Sequence, residues 1–330
     1  MRSYRFVPVI LLTSLIPSFS QNLVKGVVLN DASRQPIAYA NIGILNTSIG
    51  TISNADGTFT LLVPENYQNE ELHFSSLGFN KKNVPVSLLK KDQTVYLVER
   101  PQVLASVNVI GKKEQNKSFE FGNKEMKGGV YATDTVYAGS SKAILIRNEL
   151  PSFYSNFAFP VFLKSARIKI FKNNWPSFKY RVRFYEVDSL HGGQPGNDLV
   201  NENIIVESTI RKGWLVIDLS NLKFSVSKPF FVAFEPILED KDRLQIVQEF
   251  REFKEKNPKR VKIDTVLVDG KKKTRQIVKW ADFPGTAVAI STTQFAREHF
   301  VCYSRRSSFD KWEHVRGILT CTVTLSNQVY

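Results

Sequence analysis

The chain has 330 residues, a hydrophobic fraction of 42% and a formal net charge of +14. This length exceeds what one hydrophobic core usually organises, so two domains are expected. Beyond residue 20 no apolar run approaches the roughly 18 positions that a membrane-spanning helix needs, and the composition therefore predicts no transmembrane segment.

Residues 1–20 have the layout of a secretory signal peptide. Arg2 and Arg5 precede an apolar run over 6–16, and a short segment ending in Ser20 follows. We expect cleavage near Gln21 and export to the periplasm or the outer membrane, with the cell surface as a further destination.

Residues 21–110 are predicted to form a small β-sandwich. Runs rich in Val, Ile, Thr and Phe recur about every eight to twelve positions, with turn residues between them. Asp56-Gly57 is typical of a hairpin turn, because both residues tolerate positive φ at low cost.

A set of short motifs in this segment carries a family resemblance. They are Lys25-Gly26-Val27-Val28, Ala40-Asn41-Ile42, Asn54–Phe59, Ser76-Leu77-Gly78-Phe79 and Ser106-Val107-Asn108-Val109. In this order they resemble the carboxypeptidase-like regulatory domain, a transthyretin-like sandwich found at the amino end of many outer-membrane TonB-dependent transporters. The resemblance implies a location in a Gram-negative envelope and no chemistry. About 220 further residues are too few for a transporter barrel of about 22 strands, so we expect this head domain on a different body.

The rest of the chain is predicted to be a second all-β unit. Residues 111–129 are polar, rich in lysine and glycine, and predict a linker. Residues 130–330 then predict a larger, jelly-roll-like β-sandwich. Its expected strands are 166–171, 180–187, 203–207, 214–219, 230–235, 287–292, 300–303 and 319–325, with a turn cluster over 192–198. Arg181, Arg183 and Tyr185 alternate with Val182 and Phe184, which places the arginines on one face of their strand.

Residues 239–282 interrupt the strand pattern and are predicted to be an inserted helix plus hairpin. The helix has Ile246, Val247, Phe250 and Phe253 on one side. This stripe packs either on the sandwich or on another protein. The hairpin tip carries Lys271, Lys272 and Lys273, which would steer an acidic partner. The sequence therefore offers these seven residues as a partner-docking surface.

Charge is distributed unevenly between the two parts. Residues 21–110 hold seven Lys or Arg against seven Asp or Glu, whereas 111–330 hold 36 against 24. A basic domain attracts polyanions. An exported protein meets an acidic envelope protein, an anionic glycan or lipopolysaccharide rather than nucleic acid, so those are the expected partners.

Recognisable catalytic patterns are absent from the sequence. Cys302 and Cys321 lie in apolar runs that are expected to be strands, and they are either a disulfide or two buried thiols. His299 and His314 lack metal-ligand spacing, so no metal or cofactor is expected. Two Ser-x-x-Lys matches, at Ser220 and Ser225, lack the companion motifs of penicillin-binding proteins and are interpreted as chance. We expect no enzymatic activity.

Two weaker signals concern glycans. Trp175 follows Asn173-Asn174 and precedes Pro176, which predicts an exposed loop tryptophan able to stack on a sugar ring. Asp-Ser/Thr-aliphatic triplets mark Thr135, Ser189 and Thr265 as candidate O-glycosylation sites.

The leading hypothesis from sequence is a non-enzymatic envelope protein that mediates protein–protein or assembly contacts at the outer membrane. The alternative is a carbohydrate-binding module, and a remote third is a hydrolase with an unrecognised motif. An exposed concave groove with aromatic and arginine side chains would favour the glycan hypothesis, and an apolar patch on the insertion would favour protein assembly.

Export is directly testable. Because the charged start and short apolar run predict a cleavable signal, amino-terminal sequencing of the protein from a periplasmic or outer-membrane fraction should begin near Gln21. Cytosolic protein that retains Met1 would contradict the predicted localisation.

Overall fold

The structure is a computed structural model that describes residues 21–89, 92–100, 117–132, 138–148, 157–268, 271–278 and 285–327. Most described residues lie in β-strands and few lie in helices, which confirms the predicted all-β sandwich class. The predicted signal peptide and residues 111–116 of the predicted linker lie outside the described residues. None of the helices within the described ranges is both long and apolar enough to cross a membrane.

The first domain, here called the head, consists of two small sheets packed face to face. Its strands are β1 (Gln21–Asn30), β2 (Asn41–Ile44), β3 (Gly50–Ile52), β4 (Thr58–Pro64), β5 (Glu71–Ser75), β6 (Lys82–Pro85) and β7 (Gln93–Leu97). One sheet has the order β4-β1-β7, with β7 parallel to β1, and the other has the order β3-β2-β5-β6. Val28, Ile42, Phe59 and Phe74 are buried between the two sheets, as the alternation of apolar residues requires.

The turn at Asp56-Gly57 differs in its role from the predicted hairpin. Gly57 has φ of 78°, and a Cβ there would lie 2.7 Å from the Val28 carbonyl oxygen, so the position requires glycine. The turn joins β3 to β4, however, and these strands belong to different sheets. The local turn was therefore predicted correctly and the pairing of its flanking strands was not.

The second domain, here called the body, is a larger sandwich of two sheets. Its strands before the insertion are β8 (Ser118–Asn123), β9 (Gly128–Ala132), β10 (Ser141–Ile146), β11 (Val161–Asn173), β12 (Phe178–Asp188), β13 (Gln194–Asp198), β14 (Ile204–Ser208), β15 (Gly213–Asp218), β16 (Ser225–Val226) and β17 (Phe230–Ile237). The insertion contributes α1 (Asp240–Lys256), β18 (Val261–Val268) and β19 (Lys271–Val278). The remaining elements are β20 (Thr286–Ser291), α2 (Gln294–His299), β21 (Cys302–Arg305), β22 (Glu313–His314), β23 (Ile318–Leu319) and β24 (Cys321–Ser326).

The two body sheets enclose the main hydrophobic core. The front sheet has the order β13-β12-β17-β10-β21-β22 with β14 beside β12, and the back sheet has the order β23-β20-β11-β24-β8 with β15 and β16 beside β11 and β9 beside β20. Val182, Phe184 and Val232 point from the front sheet into the core, where they meet Ile168 and Val323 of the back sheet. The helix and hairpin lie between β17 and β20, as predicted for residues 239–282.

Three sequence predictions about the body need correction. Residues 118–123 and 128–129 are not linker, because β8 pairs with β24, and β9, which begins at Gly128, pairs with β20 in the back sheet. The predicted turn cluster over 192–198 contains strand β13. The predicted strand at 300–303 starts later, since α2 runs to His299 and β21 begins at Cys302. The partners of β8 and β9 are distant in sequence, and so local composition did not indicate these two strands.

The place of β8 in the body core can be tested by truncating one side chain. Phe121 is 2% exposed and packs against the other core residues. Phe121→Ala should lower the free energy of unfolding by about 3–5 kcal/mol, because it leaves a cavity. Urea unfolding of this variant beside Lys124→Ala, an exposed control three residues away, measures the difference. A loss below about 1 kcal/mol would restore the linker interpretation.

Candidate functional site

The outer face of the front sheet carries polar and charged side chains, yet part of it is buried and not exposed to water. Arg181, Arg183 and Tyr185 all point to this face, while Val182 and Phe184 point to the core, which confirms the predicted alternation along β12. All three outward residues are nevertheless buried, at 2%, 9% and 2% exposure. They are buried because the head and the loop after β21 cover this face.

Arg181 joins the head to the body. Its Nη1 donates to Glu235 Oε1 at 3.0 Å on the neighbouring strand and to Asn41 Oδ1 at 2.9 Å in the head, and its Nη2 donates to the Tyr39 carbonyl oxygen. Burial lowers the pKa of the Arg181 guanidinium, although the Glu235 carboxylate opposes the shift. The head therefore supplies two of the acceptors that a fully buried guanidinium requires.

The insertion and the start of β12 make a second set of contacts with the head. Lys179 Nζ donates to Glu239 Oε1 at 2.9 Å and to Tyr39 Oη at 3.1 Å. Asp240 at the start of α1 donates its N–H to Asn54 Oδ1 at 2.9 Å, and Arg243 Nη2 donates to Thr51 Oγ1 at 3.0 Å. Burial raises the pKa of Glu239, but hydrogen bonding and the charge of Lys179 outweigh it, so the pKa lies below its ordinary value.

The loop after β21 makes a third set of contacts. Ser307 Oγ donates to the Thr47 carbonyl oxygen at 2.9 Å, Ser308 Oγ donates to Asn41 Oδ1 at 2.9 Å, and Asn46 donates its N–H to the Phe309 carbonyl oxygen at 2.8 Å. The apolar part of the interface contains Tyr39, Ile52, Ala138 and Ile237. Head and body are thus held together by three sets of hydrogen bonds and a small buried apolar patch.

A cleft of about 850 Å³ opens between the two domains beside this interface. The head side includes Phe79, Lys81 and Arg100, and the body side includes Asp198 and Arg305. Its floor and rim also contain Arg183, Tyr185, Phe309, Lys311 and Trp312. Tyr185 and Trp312 meet edge to face with ring centroids 5.6 Å apart. The size lies within the range typical of ligand pockets.

Ion pairs and burial set the protonation states of the cleft floor. Arg183 makes a bidentate pair with Asp198, with Nε to Oδ1 at 2.8 Å and Nη2 to Oδ2 at 2.5 Å. Burial disfavours its charged form, but Tyr185 and Asp198 outweigh that effect and raise the pKa of Arg183. Burial raises the pKa of Tyr185 to about 12, against the opposing charges of Arg183 and Arg305. At neutral pH the floor therefore presents a charged Arg183 and a protonated Tyr185.

Trp175 is not the exposed tryptophan that the sequence predicted. It is 6% exposed and packs against Leu238 and Ile246, between the body and α1. Asn173, which suggested a solvated loop, instead bonds the Trp175 backbone on both sides, with Nδ2 donating to its carbonyl oxygen and Oδ1 accepting from its N–H. The asparagine fixes a buried turn, so Trp175 cannot stack on a glycan in this structure.

The two cysteines are free thiols in the structure. Cys302 lies in the front sheet and Cys321 in the back sheet, and both point into the core between the sheets. Burial raises the pKa of both thiols. Of the two alternatives left open by the sequence, the structure has the buried thiols and not the disulfide. Within the described ranges no cluster of three or more His, Cys, Asp or Glu side chains has a metal-binding arrangement.

The predicted docking residues are divided between core and surface. Ile246 is buried, Phe250 and Phe253 are half-buried, and Val247 is 45% exposed. Residues 271–273 begin β19, and of their side chains only that of Lys272 is described, as exposed. Among the proposed O-glycosylation sites, Ser189 and Thr265 are exposed and Thr135 lies outside the described residues.

Sequence reasoning missed most of the cleft. Asp198 lies more than 100 residues before Arg305 and Trp312, on the other side of the insertion, and no local motif links the three residues. The one available signal was the alternating pair Arg181 and Arg183, since two arginines on one strand face need buried or ligand acceptors.

Comparison with known proteins agrees with the predicted head domain. Residues 24–110 match the CarboxypepD_reg-like domain, which confirms the resemblance read from the motifs. A curated relative, the TonB-dependent receptor SusC of Bacteroides thetaiotaomicron, is 30% identical over 118 residues. The match covers 36% of this chain and 10% of the receptor, so the chain spans about a tenth of that relative's length.

One solved structure also aligns with most of the chain. It is that of the infectious bursal disease virus Gx strain, at 7% identity, covering 93% of this chain and 60% of the other with a TM-score of 0.19. At that score the alignment supports no conclusion about fold or function.

The importance of Arg181 for the interface can be measured. Arg181→Met leaves the Glu235 carboxylate buried without its 3.0 Å partner and removes two bonds to the head, so the free energy of unfolding should fall by about 3–5 kcal/mol. Chemical denaturation of Arg181→Met, Glu235→Leu and the double variant gives the coupling energy. A double variant as unstable as the sum of the single changes would contradict the network.

Proposed function

We propose that this protein is a non-enzymatic component of the cell envelope, exported and associated with the outer membrane, that binds another envelope protein through the helix and hairpin at 239–282. The relation of the head to a TonB-dependent receptor supports the envelope location. The observation that carries the proposal is that this insertion projects from the body with exposed apolar residues and a hairpin that pairs only with itself within the described residues.

The helix has one face on the body and one face in water. Ile246 packs against Trp175 and Leu238, which anchors the helix. Leu244 is 70% exposed and Val247 is 45% exposed. Being three residues apart, they are neighbours on the helix surface and form a small apolar patch. This patch replaces the predicted stripe as the docking surface, because the stripe is partly used for packing.

The hairpin extends this surface. Strands β18 and β19 pair from Val261 with Val278 to Val268 with Lys271, and no third described strand joins them. Lys262 and Ile263 point to opposite faces of the hairpin and both are exposed, so both faces are open to solvent there. A two-stranded ribbon is marginal in water by itself and gains stability when a partner covers a face or an edge.

The charge of this region favours an acidic partner. Residues 257–282 contain eight Lys or Arg against three Asp. Contacts from Asp240 and Arg243 to the head hold the start of the helix in place, and Lys254 Nζ donates to Gln276 Oε1 of the hairpin at 2.8 Å. Electrostatic attraction would raise the association rate more than the affinity.

The surroundings of the Ser-x-x-Lys matches support a non-enzymatic role. Ser220 Oγ, at the start of a 3-10 turn, donates to Oδ1 of Asp218, the last residue of β15, at 2.6 Å, and Lys223 follows the turn in the left-handed region with φ of 48°. A Ser-Lys nucleophile needs the amine positioned on the serine hydroxyl. Here the hydroxyl of Ser220 is hydrogen-bonded to the carboxylate of Asp218 instead.

A second candidate function is carbohydrate binding, now at the cleft between head and body. A concave cleft with aromatic rings and arginines is the observation that favours it. Trp312, which is half-exposed, takes the role first assigned to Trp175.

Protein docking can be tested with surface substitutions. Deleting residues 239–282 would also remove the pairing of Glu239 with Lys179 and the packing of Ile246, so loss of binding after that deletion would be ambiguous. Leu244→Glu places a charge on the apolar patch and should reduce co-purification of the envelope partner about tenfold or more, with folding unchanged. Quantitative pull-down from envelope membranes measures the reduction.

Leu190→Glu is the matched control, because Leu190 is a 91% exposed leucine on a distant loop of the body. Its pull-down should equal that of the unaltered protein. Equal capture by Leu244→Glu would exclude the helix patch from the contact.

A further inference from the structure

The buried charges beside the cleft do not balance. Three guanidinium groups, those of Arg181, Arg183 and Arg305, are at least nine-tenths buried on the outer face of the front sheet. Two carboxylates accompany them: Glu235 pairs with Arg181 at 3.0 Å and Asp198 pairs with Arg183 at 2.5 Å. One positive charge, that of Arg305, therefore remains without a counter-charge in the described cluster.

Arg305 has only neutral hydrogen-bond partners. Its Nε donates to Ser141 Oγ at 2.9 Å, its Nη1 to the Ser308 carbonyl oxygen at 2.8 Å and its Nη2 to Tyr185 Oη at 2.7 Å. Across the described ranges no carboxylate lies within salt-bridge distance of it, although it is only 8% exposed. A guanidinium has five N–H groups, so two of them are left for another acceptor.

The position of Arg305 is rigid. Its guanidinium carbon lies 4.4 Å from the centroid of the Trp312 ring and 5.5 Å from that of Tyr185. Cation–π contacts on both rings and three hydrogen bonds fix its orientation while it lines the cleft. A buried charge is costly unless it is paired. The guanidinium of Arg305 lies at the wall of the cleft, where the charge of a ligand can pair with it.

The rest of the cleft adds positive charge. Lys81, Arg100 and Lys311 line it, and within the described part of the chain none of them is in a salt bridge. The second carboxylate of the lining, that of Asp310, is bonded by Arg306 at 3.2 Å. The net electrostatic potential in the cleft is therefore positive, and it would attract an anion.

The neutral surfaces of the cleft suit a polar ring. Trp312 and Phe309 are half-exposed aromatic side chains on which the apolar face of a sugar can lie. Amide side chains of the lining offer paired donors and acceptors for hydroxyl groups; they are Asn46, Asn80, Gln194 and Asn197. This mixture of rings, amides and an unneutralised arginine fits a saccharide that carries carboxylates better than a fully apolar ligand.

We propose that the cleft between head and body binds an acidic saccharide, with a carboxylate on Arg305 and a sugar ring on Trp312. The proposal rests on the second candidate function and names its ligand class. The carboxylate oxygens accept the two remaining N–H groups of Arg305, and Lys311 at the rim adds attraction. Binding does not involve the helix patch on α1.

Calorimetric titration of the purified full chain with trigalacturonic acid and with a neutral trisaccharide, maltotriose, tests the proposal. Trigalacturonic acid should bind at least about tenfold more tightly than maltotriose at low salt, with the difference reduced at high salt. Arg305→Gln should abolish this preference, and Trp312→Ala should lower the binding affinity for both sugars. Lys228→Gln, which changes an exposed lysine away from the cleft, should leave both titrations unchanged.

The possible outcomes separate the proposal from the function on which it rests. Equal binding of both sugars would overturn the acidic preference and leave carbohydrate binding standing, whereas no binding of either would overturn both. Equally tight binding of a triglutamate peptide would overturn the saccharide assignment. If Arg305→Gln is unfolded by circular dichroism, Lys311→Gln decides the matter: an unchanged preference for the acidic sugar in that variant would contradict a role for the cleft charges.

Discussion

The buried guanidinium of Arg181 is the constraint on which the arrangement of the two domains depends. A charge that is 2% exposed needs acceptors in every direction, and the body supplies only the Glu235 carboxylate from an adjacent strand. The backbone of Tyr39 and the side chain of Asn41 supply further acceptors for its Nη groups, whereas the Nε of Arg181 has no partner among the described residues. Hydrogen bonds of this kind are directional. If the head were shifted along the front sheet, the buried guanidinium of Arg181 would lose its acceptors in the head.

That constraint also explains why a polar sheet face is buried at all. In an ordinary sandwich the outward face of an antiparallel sheet is solvated. Here the head, α1 and the loop containing Ser307 and Ser308 cover it. Where their coverage stops, the cleft begins, and Arg305 lies at that boundary. The interface and the candidate site are therefore two parts of one surface.

Features with local causes were predictable from the sequence. The strands of the head follow from their alternating apolar residues, the turn at Asp56-Gly57 from its tolerance of positive φ, and the insertion from a helical period followed by Pro258 and two β-rich runs. The linker was predicted wrongly because β8 is short, polar at its start and stabilised by β24, which lies about 200 residues away. Trp175 was predicted wrongly because asparagines that usually mark solvent here bond the backbone of a buried turn. The cleft depends on which faces meet, and no run of residues encodes that directly.

The pairing of β8 with β24 has a consequence for the order in which the protein folds. Ser118 lies opposite Ser326, so the back sheet of the body cannot be completed until the chain through residue 326 is present. In the head, by contrast, the paired strands that lie farthest apart in the sequence are β1 and β7, among the described residues. Topologies with such distant contacts fold slowly, since a large loop must close before its contacts stabilise the chain. The strands β1–β7 of the head can therefore form before the back sheet of the body is complete. Tyr39 and Asn41 are then already in position to accept the hydrogen bonds of Arg181 on β12.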